Sequence, residues 1–245
     1  MTKVDRSKFS EFIKNIRLKG DFEIKQAIFD FKKDNTISVI ALTTNRIVAS
    51  YSIFEGEEVE ELGRIGIGDL KLFHQFVDSF KDEILEMKAL KNKLKLSTKR
   101  DKLEISAIIM NPEYIKNSIP DGKESEFFKK LEDGRSGVIN IDSFQIDNLL
   151  KYTSYLKTED IIIRGDKNKL QFGVTKNENE VLASIDVGEE LEPFTIKVKT
   201  ILLDIMSLAE EKLHLGLKEN HPVFVGFRSD YSSHEYLLAP STLEG

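Results

Sequence analysis

The chain contains no cysteine, which excludes disulfides, thiolate catalysis and cysteine-ligated zinc. It has no apolar run of the ~18 residues that a membrane-spanning helix needs, and no basic start followed by an early apolar stretch. A soluble intracellular protein is the expectation. Histidine is scarce: His74, His214, His221 and His234 show no metal-ligand spacing. Nucleotide motifs are missing as well. Gly63-Arg64-Ile65-Gly66-Ile67-Gly68 does not have the G-x-G-x-x-G spacing and reads as a strand and turn before a helix capped near Asp69. Gly122-Lys123-Glu124 lacks the upstream Gly and the Ser/Thr of a P-loop. The carboxylates Glu55, Glu57, Glu58, Glu60 and Glu61 read as a solvated acidic loop. Nothing nominates an active site, a metal or a cofactor.

What the chain does have is a repeat. Arg46-Ile47-Val48-Ala49-Ser50-Tyr51-Ser52 returns in pattern as Glu180-Val181-Leu182-Ala183-Ser184-Ile185-Asp186, with helix-like stretches around both. Solenoid repeats have periods of about 20–50 residues, so one this long points to two domain-sized copies. At 245 residues and 40% apolar content the chain can bury one large core or two modest ones.

Periodicity predicts matching halves. In the first, Phe9, Phe12, Ile13 and Ile16 fall at helical spacing. Strands follow at Phe22–Asp30, Ile37–Thr43 and Arg46–Phe54. A second helix carries Leu70, Phe73, Val77 and Phe80 on one face, and strands return at Lys93–Ser97 and Lys102–Met110. In the second half Ile146, Leu149, Leu150, Thr153 and Leu156 mark a helix, with strands at Asp160–Gly165, Leu170–Thr175 and Glu180–Val187. Ile201–Ala209 reads as a helix, and Lys212–Leu217, Val223–Ser229 and Glu235–Ala239 close the chain. Each half is expected to be a mixed sheet covered on one side by two short helices. The domains are read as 1–110 and 137–245, joined by a connector, 111–136, marked by Pro112, Pro120, Gly122 and Gly134. Tyr114, Ile115, Ile119, Phe127 and Phe128 make that connector more apolar than a passive linker requires, so some of it should dock on protein.

Charge is informative only locally, because the net charge is −6. The first helix collects Lys3, Arg6, Lys8, Lys14, Arg17 and Lys19 against Asp5 and Glu11. The second adds Lys71, His74 and Lys81, opposed by Asp69, Asp78 and Asp82, and the third adds Lys151 and Lys157. Cations recurring at equivalent places in a duplicated chain can line one common surface as a track for phosphates.

The C-terminus carries a resemblance. His221-Pro222-Val223-Phe224-Val225-Gly226-Phe227-Arg228, a turn, and His234-Glu235-Tyr236-Leu237-Leu238-Ala239-Pro240 resemble the closing hairpin of DNA sliding clamps of the proliferating cell nuclear antigen family. The Lys102–Met110 strand and Ile119-Pro120 in the connector follow the same layout. Ser241 departs from the family's common basic residue after Ala-Pro, and the 122–134 stretch lengthens the connector, which points to an archaeal, viral or phage-type clamp.

The resemblance implies an α+β chain of two DNA-clamp domains that closes into a trimeric ring around duplex DNA, with no enzymatic activity and no cofactor. It places the protein at the nucleoid or a viral replication site within the cell. The implied phosphate contacts are Lys8, Lys14, Arg17, Lys71, Lys151, Lys157, Lys197 and Lys199. Lys102–Met110 would pair with Glu180–Val187 of the next subunit, with Ile105, Ala107 and Ile109 meeting Val181, Ala183 and Ile185. A partner-peptide pocket would be carried by Ile115, Ile119, Pro120, Pro222, Ala239 and Pro240, with Phe31, Ile37 and Val39. Implied partners are DNA polymerase, a clamp-loader ATPase, and flap-endonuclease and ligase type enzymes. A checkpoint or transcription-coupling ring and an unrelated two-domain α+β enzyme are the alternatives.

Overall fold

The computed structural model describes residues 1–116, 118–119, 122–153, 158–176 and 179–241. Backbone proximity divides the chain into two compact units, Met1–Glu124 with Ser229–His234, and Ser125–Arg228 with Glu235–Gly245.

The first unit opens with β1 (Thr2–Asp5), followed by α1 (Arg6–Arg17). Asp5 caps that helix by accepting from the Lys8 amide at 2.9 Å, which satisfies one of the donors a helix start leaves unpaired. The four residues selected by helical spacing, Phe9, Phe12, Ile13 and Ile16, are all buried. Beyond α1 the chain turns at Leu18 (φ 53°) and Gly20 (φ 66°), and residues 20–22 form a short 3-10 turn. The next strand therefore starts later than its apolar composition predicts. It is β2 (Ala27–Phe31), followed by β3 (Thr36–Leu42), β4 (Val48–Glu55) and β5 (Gly63–Ile67).

Helix α2 (Leu70–Asp78) begins at the anticipated cap, the Asp69 carboxylate accepting from the Leu72 amide at 2.8 Å. Then come β6 (Ile84–Leu90), β7 (Lys93–Ser97) and β8 (Glu104–Met110). The strand order is β1-β6-β7-β8-β5-β2-β3-β4. An aromatic core of Phe9, Phe12, Phe29, Phe54 and Phe73, with ring centroids 5.3–6.4 Å apart, joins the helices to the sheet.

In the second unit, α3 (Glu124–Arg135) leads to β9 (Val138–Asp142) and α4 (Ser143–Thr153). Next come β10 (Asp160–Lys176), β11 (Asn179–Lys199), α5 (Ile201–Met206), β12 (Lys212–Gly216), β13 (Val223–Arg228) and β14 (Ser232–Leu238). Strands β14-β13-β12-β9 are hydrogen-bonded neighbours in that order, and β10-β11 form a two-stranded sheet. In each unit two helices pack together, α1 with α2 and α4 with α5, and the second unit carries α3 besides.

The structure corrects three expectations and adds a strand, β6, that periodicity does not announce. Every described strand pairing is antiparallel, so the sheets are antiparallel rather than mixed. Asp160–Gly165 and Leu170–Thr175 are one strand, because the polar Asp166–Lys169 run is absorbed as bulges around Lys167 instead of turning the chain. Residues 124–135 are helix, not linker, with Phe127 and Leu131 buried one turn apart. Strand β6, rich in the helix formers Leu, Glu, Met, Lys and Ala, is held extended by its pairing with β1 and β7.

Candidate nucleic-acid interface and partner surfaces

Helices α1 and α2 pack side by side and hold four of the eight cations expected to meet phosphate, Lys8, Lys14, Arg17 and Lys71. Lys8 and Lys14 are exposed, and the Lys8 ammonium stands 5.6 Å from the centroid of the Tyr231 ring. Lys71 is exposed in the first turn of α2 and shares a hollow of about 450 Å³ with Lys25 and Lys116. Sequence does not single out those last two, since neither lies on a basic helix. Lys151 is exposed at the end of α4. Lys157 lies outside the described residues.

Arg17 is held internally. Its Nε donates to Glu23 at 3.2 Å and its Nη1 to His74 Nδ1 at 3.0 Å. Lys197 and Lys199 lie on β11, not on a helix, and both meet Asp160, at 3.8 Å and 3.1 Å. Lys199 also reaches Glu159 at 3.3 Å. The hydrogen bond to Asp160 raises the Lys199 pKa. Burial alone would raise the Asp160 pKa, but the bonds from Lys199 and Ser241 hold it below the usual carboxylate range. Charges already neutralised in this way have less to offer a phosphate than Lys8 or Lys14.

Ser10, His74 and Asp78 form a cluster that invites comparison with a hydrolytic triad. Ser10 Oγ lies 3.0 Å from His74 Nε2 and hydrogen-bonds the Asp78 carboxylate. The roles are wrong for one. A guanidinium only donates, so His74 Nδ1 accepts from Arg17 and the neutral ring carries its proton on Nε2. That nitrogen donates to Ser10 and does not receive its proton, so the imidazole is not a base for the hydroxyl. Burial is the main cause that lowers the His74 pKa, with Arg17 and Lys14 adding to it and Asp78 opposing.

The two predicted edge strands are open. Strand β8 pairs with β7 along Glu104–Ile108 on one side, but with β5 only at Ile109 and Met110 on the other. Strand β11 pairs with β10 on one side. On its other edge, among the described residues, only Val198 is bridged, to Pro240. Ala107 and Ile185 are buried, while Ile105, Ile109, Val181 and Ala183 are half-buried. The opposite faces carry what the alternation of Ile105, Ala107 and Ile109 passes over: Ile108 is 71% exposed and Leu182 49%. The signal was present in the consecutive Ile108-Ile109-Met110, which is apolar on both faces. Beside β8 a cavity of about 440 Å³ is lined by Leu72, Phe73, Phe76 and Met110 among others.

The residues expected to form a peptide pocket divide into three groups. Phe31, Ile37 and Val39 are no more than 1% exposed. They belong to the core between β2, β3 and the helices, because that face of the sheet is closed over, and so they line no open pocket. In the first unit Ile115 and Ile119 are also buried, and the backbone at Gly66 makes room for Ile115, whose Cγ1 would stand 2.7 Å from a Cβ there. In the second unit Ala239 and Pro240 are exposed and Pro222 is half-buried. Pro222 borders a cavity of about 420 Å³ with Lys130, Asp133, Lys218 and His221. Pro120 lies outside the described residues.

No family model matches the chain, and no curated protein does. Solved structures do. The proliferating cell nuclear antigen of Entamoeba histolytica superposes with a TM-score of 0.74 at 16% identity, covering 98% of each chain. The A. fulgidus proliferating cell nuclear antigen, in a structure with the C-terminal region of FEN-1 bound to it, superposes with a TM-score of 0.76 at 14% identity, covering 100% of each. The chain therefore has the fold of these clamps over its whole length.

Proposed function

We propose that this protein is a DNA sliding clamp: a ring of three identical chains that encircles duplex DNA and tethers a polymerase and other DNA-processing enzymes to it. The observation that carries the reading is the full-length likeness in fold to two proliferating cell nuclear antigen structures. It is supported by the two open strand edges on the single chain, β8 and β11. Bare edges invite pairing, and a head-to-tail contact between two different edges closes into a ring when the rotation permits.

The work is then topological. Contacts from Lys8, Lys14, Lys71 and Lys151 to phosphate are independent of sequence and exchange readily, so the ring holds DNA without stopping on it. A tethered polymerase gains effective concentration at the primer end, which is processivity. Loading falls to a separate ATPase, and flap endonucleases and ligases share the outer face by short peptides; on the A. fulgidus protein the C-terminal region of FEN-1 is bound. In this chain the candidate peptide site lies in the second unit, at Pro222, Ala239 and Pro240. A peptide with an aliphatic anchor and two aromatic residues fits it, since a few buried anchors dominate such contacts.

The test is retention on circular duplex DNA after loading, with release on linearisation. A ring stays on the circle and runs off the cut ends. Equal loss from both forms overturns the reading.

A further inference from the structure

Resting on the phosphate track of the reading above, we propose that Tyr231 is a positioning residue for DNA. It takes up Glu11, the carboxylate that would otherwise neutralise Lys8 or Lys14.

Glu11 stands on α1 three residues from Lys8 on one side and three from Lys14 on the other. Side chains at that spacing share a helix face, and opposite charges there pair readily. Tyr231 comes from the turn between β13 and β14, in the part of the hairpin that belongs to the first unit. Its hydroxyl donates to Glu11 Oε2 at 2.7 Å, across 220 residues of sequence. Lys8 Nζ lies over its ring, 5.6 Å from the centroid. A ring face attracts an ammonium without cancelling its charge. The other carboxylate near Lys8, Asp5, is committed to the start of α1, where it accepts from the Lys8 amide at 2.9 Å and from the Ser7 hydroxyl at 2.7 Å. Both carboxylates are therefore occupied while Lys8 and Lys14 stay exposed.

The phenol is held firmly enough to do this. The Tyr231 carbonyl accepts from the Glu55 amide at 2.9 Å, and its amide donates to Ser229 Oγ at 3.4 Å. Its ring meets Phe54 edge-on, centroids 6.1 Å apart. Phe54 in turn packs against Phe9 and Phe12 on the buried face of α1. The same aromatic core that seats the helix thus fixes the group that manages the charges on its exposed face.

The test is a cycle between Tyr231→Phe and Glu11→Gln in the full chain, with affinity for circular duplex DNA followed across a salt series. Tyr231→Phe keeps the ring and its packing on Phe54 and removes only the hydroxyl. Releasing Glu11 onto one lysine should reduce the slope of log affinity on log salt by up to about 0.9, the share of one phosphate. With Gln at position 11 the same change should leave the slope as it is, a rescue that a merely structural role for the hydroxyl would not produce. Lys8→Gln/Lys14→Gln should cost less slope in the Tyr231→Phe background than in the wild type. A Tyr231→Phe effect that is absent, or equal with Glu and with Gln at position 11, overturns the proposal and leaves the track standing. Lys8→Gln/Lys14→Gln without effect in the wild type overturns the track and the proposal together.

Discussion

His234 Nδ1 lies 2.9 Å from the Ser52 hydroxyl, 182 residues away in sequence, and its other ring nitrogen lies 3.2 Å from Ser232 Oγ. The Phe12 ring is stacked at a tilt against it, centroids 5.3 Å apart. The imidazole is 1% exposed, and burial pushes its pKa from 6.5 down to about 3.

Stability should therefore fall with acid. Below pH 6.5 an unfolded chain takes up a proton that the folded one refuses, so stability is fully present above 6.5 and declines by about 1.4 kcal/mol per pH unit as pH drops toward 3. Denaturant melts of the wild type and His234→Gln between pH 4 and 7.5 check this. The variant should lose that part of the slope, whatever its stability at neutral pH.

Burial first, and the Arg17 charge beside it, lower the His74 pKa. Replacing Arg17 with Gln removes both the bond to Nδ1 and a nearby positive charge, so the His74 pKa should move up toward its ordinary value. Imidazole resonances followed through a pH titration of the free protein read this directly. A His74 midpoint that does not move would show that Arg17 has no hold on the ring.

Neutralising the exposed lysines should weaken DNA retention without harming the fold. Lys8, Lys14, Lys71 and Lys151 changed together to Gln should reduce the dependence of log affinity on log salt by up to about 0.9 for each phosphate the protein no longer neutralises. Surface changes of this kind usually move stability by about 0.5 kcal/mol or less. Retention on circular DNA across a salt series, beside a thermal melt, separates the two effects. Lys197 and Lys199, already engaged with Asp160, should contribute less when changed in the same way.

The connector helix should depend on a missing side chain. A Cβ on Gly134 would stand 2.7 Å from the Phe224 Cβ, and one on Gly216 would stand 2.3 Å from the Gly134 carbonyl oxygen. Gly134→Ala should cost about 1–3 kcal/mol through overpacking, read as a lower melting temperature and faster hydrogen exchange across Glu124–Arg135. Arg135→Gln, which removes the two-pronged bond to Glu235 at 2.7 and 2.6 Å, tests the same end of the helix one residue on and should cost less, because Arg135 is half exposed.

What the sequence discloses follows from how local the physics is. Phe9, Phe12, Ile13 and Ile16 announce α1 because helical spacing is a property of neighbours, and Asp69 announces the start of α2 because a cap acts within one turn. The cations on α1 are legible for the same reason. The engagement of Arg17 with His74 and of Lys199 with Asp160 is not, since it joins residues far apart in the chain. Phe31, Ile37 and Val39 look alike in sequence whether they line a pocket or fill a core, and only the closure of the helices over their sheet decides. Helix α3 escapes notice because Gly134 and the flanking Pro120 and Gly122 resemble linker punctuation, while the close approach that makes Gly134 necessary comes from β12 and β13.

Strands β10 and β11 run for 17 and 21 residues, several times the usual strand length of about 5–6, yet among the described residues they form a sheet of only two. A hairpin alone is marginal in water, and conformational entropy lost along so long a ribbon must be recovered from whatever covers it. Helix α4 supplies part of this; a neighbouring chain would supply the rest along the edge. Folding of this half and assembly then become one equilibrium. Its melting temperature should climb with protein concentration, and dilution alone should loosen the ribbon before the first unit responds.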